Sequence, residues 1–472
     1  MRNFIGRDNY TKKLNNLWKQ RKSRLISIYG RRRVGKTALI KDFSRDKKAY
    51  LFEAIEGEET KTQVKHFLHQ LSLMTGETHI RDLDYQDWAP VFDLLSQKIF
   101  QEKSLVLCFD ELSWMAASRS RLIGYLKFYW DNKWQDHPHL MVILCGSVAS
   151  WMVKNVVRSK ALYGRISENI LVEPLRPFEV AEFIGKHRGQ REILEYLLCF
   201  GGVPKYLEEF DFSQSIQLNI EKTCFSPSGF FVNEAEKIFY NQFSETRVYQ
   251  AIVKNLLKGP LSLKDISEKL TIPSGGGLKV YLDNLIAAGI VEKFQNIRNF
   301  HPSQTYRYHL VDEFLKFYYQ FIRPHIAEIQ HAEWPNRFEK FTAGSWFPFL
   351  GYAFERFCLK NRYVIAELLG FGGKVVSVGS VVDTTSGGFQ YDLVYVRSDG
   401  VITLCEAKYL SEPPSTRYIK EFEEKLKRTH FPKGLTVEKV LLCNHAPSEA
   451  LVESGYFHHI LQAGQMIKGK WD

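Results

Sequence analysis

Cysteine is scarce and shows no pairing pattern: there are seven in 472 residues, an odd number, with no CxxC spacing. A disulfide framework or a thiolate zinc site needs paired spacings, so neither is expected. Cys108, Cys145, Cys405 and Cys443 stand inside apolar runs, where a thiol behaves as a small hydrophobe. Long hydrophobic runs are missing as well. The longest, LMVILCGSVASWMV at 140–153, is broken by Gly146, Ser147 and Ser150. It is shorter and more polar than the roughly 20 apolar residues that span a bilayer. The opening MRNFIGRDNY lacks the apolar core of a signal peptide. No internal repeat and no low-complexity linker appears. A cytoplasmic chain with no membrane partner is the expectation.

Excess positive charge is also absent from most of the chain. The net charge is +11, from 64 Lys and Arg against 53 Asp and Glu. Residues 1–50 hold 16 of those bases and only 3 of the acids, so the remainder is close to neutral. Two readings of this local charge stand side by side: a solvated basic helix face that also attracts a polyanionic nucleotide, or a contact surface for nucleic-acid phosphates. The balance of 44% hydrophobic and 25% charged residues is that of a folded globular protein. At about 150 residues per domain, the length predicts two to four domains.

Up to about residue 210, short β-rich runs alternate with helical periodicity. Candidate strands are LISIYG (25–30), AYLFEA (49–54), SLVLCFDE (104–111), LMVILCGS (140–147) and NILVEP (169–174), with helices at 63–74 and 88–100 among the gaps. Near-continuous apolar strands separated by helices predict an α/β fold with a mostly parallel, helix-covered sheet. Residues 176–245 read as helical. At 246–330 the order is an amphipathic helix (249–257), a short helix (262–270), the turn TIPSGGG, a helix (278–288) and two strands (290–295 and 305–310). That is the winged-helix order. The last segment, 335–472, predicts a helix at 349–361, strands near 374–382, 389–396 and 401–406, a charged helix at 417–428 and a strand at 437–443.

The sharpest motif is Gly30-Arg31-Arg32-Arg33-Val34-Gly35-Lys36-Thr37, which follows a strand and opens a helix with Ala38. It matches GxxxxGK[ST] at every fixed position, in the context that gives the pattern meaning. Gly30 and Gly35 let the backbone curl so that amide groups face phosphates, and the helix N-terminus adds a favourable dipole. Lys36 is expected on the phosphate oxygens of ATP, and Thr37 on Mg²⁺. LVLCFDE then delivers Asp110 to a strand end, as a second holder of Mg²⁺, with Glu111 to orient or deprotonate the attacking water. Ser147, at the end of the next buried strand, either senses the γ-phosphate or caps a helix. His137 and His139 form an HxH with no partner ligands, so no metal site is expected there.

FIGRDNYTKKLNNLW (4–18), the phosphate loop, LVLCFDE, LCGSVASWM (144–152), LYGR (162–165) and GGVPKYL (201–207) occur in this order. Together they resemble the archaeal-type P-loop ATPases, a branch near the AAA+ and STAND groups that often carries a winged helix. The resemblance covers roughly residues 1–320. It implies an ASCE-type parallel sheet of order 5-1-4-3-2, with residues 1–175 as the ATPase core and 176–245 as a helical lid. It also implies that residues 4–7 and 202–204, including Pro204, face the adenine and ribose. Arg165 of LYGR resembles an arginine that reaches toward phosphate, with Arg158 and Arg119 competing for the role.

The presumed recognition helix, GLKVYLDNLIAAG, carries only Lys279 and Asp283 as charges, too few for reading base edges. Leu278, Val280, Leu282, Leu285 and Ile286 are expected in the core, and a lid or interaction role suits the module. The aromatic residues Phe314, Phe317, Tyr318, Tyr319, Trp346, Phe347 and Phe349 are expected as core between domains.

A second chemical signal lies in GGFQYDLVYVRSDGVITLCEAKY (387–409). Strand alternation puts Glu406 and Lys408 on one face. A hairpin turn at Ser398-Asp399-Gly400 brings Asp392 beside Glu406. Two adjacent carboxylates repel unless a cation lies between them, and Mg²⁺ is the usual one. Lys408 would then position a hydroxide. The pattern is similar to the PD-(D/E)xK nuclease-like superfamily over roughly 335–460. Asp392 matches its first acid, Glu406 its second and Lys408 its lysine. Glu355 of GYAFERF resembles the extra acid on the preceding helix, while Tyr391 replaces a proline. The expected protein is thus a P-loop ATPase with a winged helix and a C-terminal α/β restriction-endonuclease-like domain. ATP and Mg²⁺ are its cofactors and DNA its expected macromolecular partner, with a second copy or another protein also open. The alternative is a nucleotide-operated switch whose C-terminal domain only binds.

Overall fold

The computed structural model describes residues 4–116, 120–243, 245–298, 300–331, 336–383 and 388–468. The chain divides into two compact units. One comprises Met1–Pro174 with Ala287–Gly289, and the other comprises Leu175–Ile286 with Ile290–Asp472.

The first unit is built on five strands: β1 (Arg24–Tyr29), β2 (Ala49–Glu53), β3 (Leu105–Asp110), β4 (Leu140–Gly146) and β5 (Ile166–Leu171). All pairings are parallel, in the order 2-3-4-1-5, which is the expected 5-1-4-3-2 read from the other edge. Every residue of β3 and β4 is buried, because helices cover both faces. Alternation divides the side chains between two cores. Leu105, Leu107, Phe109, Leu140, Val142 and Leu144 pack on one side with Phe67, Trp88 and Phe92. Val106, Cys108, Met141, Ile143 and Cys145 pack on the other with Leu14, Leu39 and Phe43.

Phe109 is central to the first core, stacked on Phe52 and Phe67 with ring centroids 6.1 Å away and edge-on to Phe92 at 6.0 Å. Phe109→Ala is expected to cost about 3–5 kcal/mol, the range for emptying an aromatic site in a core. Urea unfolding measures it, and a loss below about 1 kcal/mol would mean that the neighbouring rings close the gap.

Strand β5 runs at Ile166–Leu171, three residues earlier than the expected 169–174. It is an edge strand with a half-polar pattern, and Asn169 uses its carbonyl to accept a 2.6 Å hydrogen bond from Ser27 on β1. An edge strand tolerates such polar residues, which made ISEN look like loop.

In the second unit, helices occupy most of 177–256. A three-stranded antiparallel sheet follows, of order β6-β8-β7: β6 (Leu261–Ser262), β7 (Val291–Arg298) and β8 (His301–Leu310). Helices Thr246–Leu256, Leu263–Leu270 and Gly276–Ala287 lie among these strands in the chain. The last of them begins inside the expected glycine turn. Leu278, Leu282 and Leu285 form its buried stripe, but Val280 is 56% exposed, a correction to its expected place in the core. At 100° per residue, Val280 falls well away from the 278–282–285 stripe. The aromatic set packs inside this unit, with Phe317 against Phe200, Trp346 and Phe349, whereas Phe347 is exposed.

The C-terminal sheet has the order 13-12-11-10-9: β9 (Val375–Asp383), β10 (Phe389–Arg397), β11 (Val401–Lys408), β12 (Thr436–Cys443) and β13 (His459–Gln462). Strand β10 is antiparallel to both β9 and β11, and β11, β12 and β13 are parallel. The turn falls where expected, with Gly400 at a φ of 78° and Arg397 holding Asp399 at 2.7 and 3.0 Å. Helix Trp346–Lys360 packs near β10 and β11. All seven cysteines are buried and free. No helix among the described residues is long and apolar enough to cross a membrane.

Candidate functional site

The glycine loop between β1 and helix Lys36–Ser44 is set by close backbone packing. Gly30 has a φ of 153°, and a Cβ there would sit 2.3 Å from the carbonyl oxygen of Val172, so only glycine fits. Gly35 takes a φ of 88° at the helix N-cap. The amides of Lys36, Thr37 and Ala38 lie in the first turn, where a helix has no internal acceptors. Lys36 is 5% exposed and donates to the carbonyls of Gly30 (3.1 Å) and Arg31 (3.0 Å). Burial pushes its ammonium below the usual range; Cys145, Glu111 and Asp110 act the other way, and Arg32 adds to the fall. Arg32 lies 5.8 Å from the Trp114 ring centroid, and its buried Nη1 has no hydrogen-bond partner. A buried ammonium and an orphaned guanidinium nitrogen beside first-turn amides form a site suited to an anion such as a nucleotide phosphate.

Arg7 fixes the loop from outside. It is 3% exposed, adopts a φ of 70°, and donates to the carbonyl of Val34 at 2.8 Å and to that of Glu173 at 2.5 Å. Arg31 is buried, while Lys12, Lys13, Lys19, Arg21 and Lys22 are exposed on and after the first helix.

Thr37 donates to Asp110 Oδ2 at 2.6 Å, joining the two groups expected at Mg²⁺. The next residue, Glu111, sits in the left-handed region at a φ of 50°. Its Oε2 accepts from the Ser147 hydroxyl at 2.7 Å and from the Ser147 amide at 3.1 Å. Ser147 therefore does not cap the following helix Ala149–Met152, whose N-cap is Val148 and which has no side-chain cap.

The remaining nucleotide-side residues are less gathered. Asp131 accepts from Nε and Nη2 of the Arg165 guanidinium, at 2.5 and 2.8 Å, and Nη1 donates to the Tyr163 carbonyl at 3.1 Å, so in this conformation it is committed to structural bonds. Arg158 lies where its charge acts on Tyr29, at the end of β1. Arg119 falls outside the described residues. Pro204 opens a short helix in the other unit, behind Gly202, whose Cβ would meet the Leu175 carbonyl at 2.0 Å. His137 and His139 are structural: their Nε2 atoms bond the carbonyls of Glu102 and Trp18, each at 2.9 Å.

In the C-terminal sheet, Leu393 pairs with Cys405, which brings Asp392 beside Glu406. Both are nearly buried, at 9% and 4% exposure. Asp392 accepts from the Ala407 amide at 2.9 Å and from the Gln390 side chain at 3.0 Å. Lys408 contacts Glu406 Oε1 at 2.8 Å, as alternation on β11 requires. Burial opposes the Lys408 charge, but Glu406, Asp392 and Glu421 together outweigh it and raise the ammonium's pKa. Burial and the Glu406 charge push Asp392 up to about 6; burial and the Asp392 charge push Glu355 up to about 7. Such crowded carboxylates are relieved by a cation, and the donor set of Asp392 and Glu406 suits a hard divalent ion. Among the described residues, however, no three His, Cys, Asp or Glu side chains converge to hold a metal. Glu355 is thus an electrostatic neighbour of the pair, not a third ligand in place.

Sequence reasoning missed Lys425. Its ammonium bonds both Glu406 oxygens at 2.6 Å and the Gln390 carbonyl at 2.9 Å.

Residues 4–210 match a family described as an ATPase domain predominantly from Archaea. An uncharacterised protein of Methanocaldococcus jannaschii is 26% identical over 356 residues, covering 75% of this chain and 76% of that protein. An uncharacterised ATP-binding protein of the same organism is 49% identical over 45 residues, 10% of this chain and 76% of its own. Among solved structures, a Walker-type ATPase of Pyrococcus abyssi aligns over 70% of this chain and 96% of its own, at 19% identity and a TM-score of 0.48.

Proposed function

We propose that the archaeal-type P-loop ATPase domain at residues 4–210 binds and hydrolyses ATP, and that this cycle operates a C-terminal nuclease-like domain acting on nucleic acid, with DNA as the substrate. The observation that carries the first half is the buried, carboxylate-free bonding of Lys36 at the mouth of a glycine loop, with Thr37 tied to Asp110 beside it. Lys36 and the first-turn amides hold phosphate charge, and Thr37 and Asp110 are the residues that would hold Mg²⁺. The ion, when bound, neutralises charge on the phosphate oxygens. Glu111 then orients water, and Ser147 fixes the carboxylate until nucleotide arrives. Residues 4–7 serve the adenine side, and Arg158, whose charge acts on Tyr29 at the end of β1, is the arginine for phosphate.

Glu111→Gln keeps an acceptor for Ser147 but removes the base. ATP hydrolysis is expected to fall about 10²–10⁴-fold, while binding of a fluorescent ATP analogue changes little. Turnover at the wild-type rate would place the base elsewhere.

The second half rests on Asp392, Glu406 and Lys408 gathered at one end of the C-terminal sheet. Asp392 and Glu406 would hold Mg²⁺, which supplies a Lewis acid for phosphodiester cleavage, and Lys408 offsets the phosphate charge. The 246–330 module is read as a winged helix that acts as a lid or docking element. A second reading, a nucleotide-operated switch whose C-terminal domain only binds, is favoured by one observation: Glu406 already carries two ammonium groups.

A further inference from the structure

We infer that Lys425 is a resident cation that competes with a divalent metal for Glu406, so that the nuclease-like site takes up metal only when Lys425 lets go. The inference rests on reading that site as metal-dependent.

The argument starts from donor and acceptor capacity. A lysine ammonium has three N–H donors and a carboxylate about four acceptor positions. Lys425 spends its donors on both Glu406 oxygens and on the Gln390 carbonyl. Lys408 takes a further position on Oε1. Glu406 is 4% exposed, so water has little access to the positions that remain. A metal must find room on a carboxylate that two cations already occupy.

Charge leads to the same conclusion. Asp392, Glu406, Lys408 and Lys425 together sum to zero charge, and Lys425 also draws Asp392 toward its ionised form. A divalent ion arriving there finds no net attraction and meets two ammonium groups in a poorly solvated setting, where their repulsion is strong. Without Lys425, the set of Asp392, Glu406 and Lys408 is net negative.

The helix is suited to this role. In Arg417–Arg428, Tyr418 and Phe422 are the buried anchors. Lys425 comes one turn after Phe422, so it is delivered along the same face. Its side chain remains 22% exposed. Four methylene groups give the ammonium freedom to swing to solvent, or to a phosphate, while the helix stays docked. Lys425 is a positioning residue here, acting through Glu406.

Mn²⁺ titration of the full chain without nucleotide, followed by electron paramagnetic resonance, tests the idea. Lys425→Met is expected to tighten Mn²⁺ binding at least tenfold. Lys425→Arg, which keeps the charge, is expected to stay near wild type. The gain is expected to vanish in a Lys425→Met, Asp392→Asn double variant. Equal or weaker binding by Lys425→Met, with wild-type binding still abolished by Asp392→Asn, would overturn the inference and leave the metal site standing. A gain that survives in the double variant would overturn it by placing the ion elsewhere. No Mn²⁺ binding by any variant would overturn both the inference and the metal-dependent reading.

Discussion

Lys36→Ala is expected to lower ATP hydrolysis by about 10³-fold, because it removes a preorganised donor aimed at developing phosphate charge. It is not expected to lower stability. Lys36 sits at the first helical position, where alanine is the better helix former. The wild-type ammonium is buried and bonded to neutral carbonyls, so its desolvation is only partly offset in the nucleotide-free protein. The variant should therefore melt at the wild-type temperature or above it while losing turnover. Steady-state phosphate release and a thermal melt read the two quantities on the same sample. Surviving hydrolysis would overturn the phosphate-loop assignment, and a lower melting temperature would show that Lys36 supports the loop itself.

Asp392→Asn is expected to abolish Mg²⁺-dependent cleavage of plasmid or single-stranded DNA and to leave ATP hydrolysis intact. The substitution is nearly isosteric, and an amide oxygen still accepts from the Ala407 amide. It removes the charge that Glu355 and Glu406 now crowd, so folding is not compromised. Two- to threefold changes in cleavage would be too small for a residue that holds the metal. Absence of cleavage by the wild-type chain in both Mg²⁺ and Mn²⁺ would favour the switch reading.

What was legible in the sequence was local. The loop at 30–37 declares itself because strand, glycines, lysine and helix are contiguous. Asp110 was legible because a short apolar run downstream of a phosphate loop reads as a buried strand, and its first polar residue marks the strand's end. The same logic placed Glu406 and Lys408 on one face. Contacts set by packing across long separations were not legible. Arg7 reaches a carbonyl 166 residues away. Asp131 meets Arg165 across 34 positions. Lys425 is one of three lysines in RYIKEFEEKLKR, and only the docking of Tyr418 and Phe422 selects it over Lys420 and Lys427. Strand β13 is four residues long, too short for alternation to register.

The packing of Gly30 against Val172, and the bridge from Arg7 to Val34 and Glu173, bear on how the protein is made. The loop's shape depends on residues that leave the ribosome some 140 positions after it. A nascent chain that ends before residue 173 holds the whole GRRRVGKT motif without the carbonyls that shape it. Nucleotide affinity should therefore appear during synthesis only once β5 and the segment after it have emerged. Ribosome-bound chains of graded length would gain it in one step near that point.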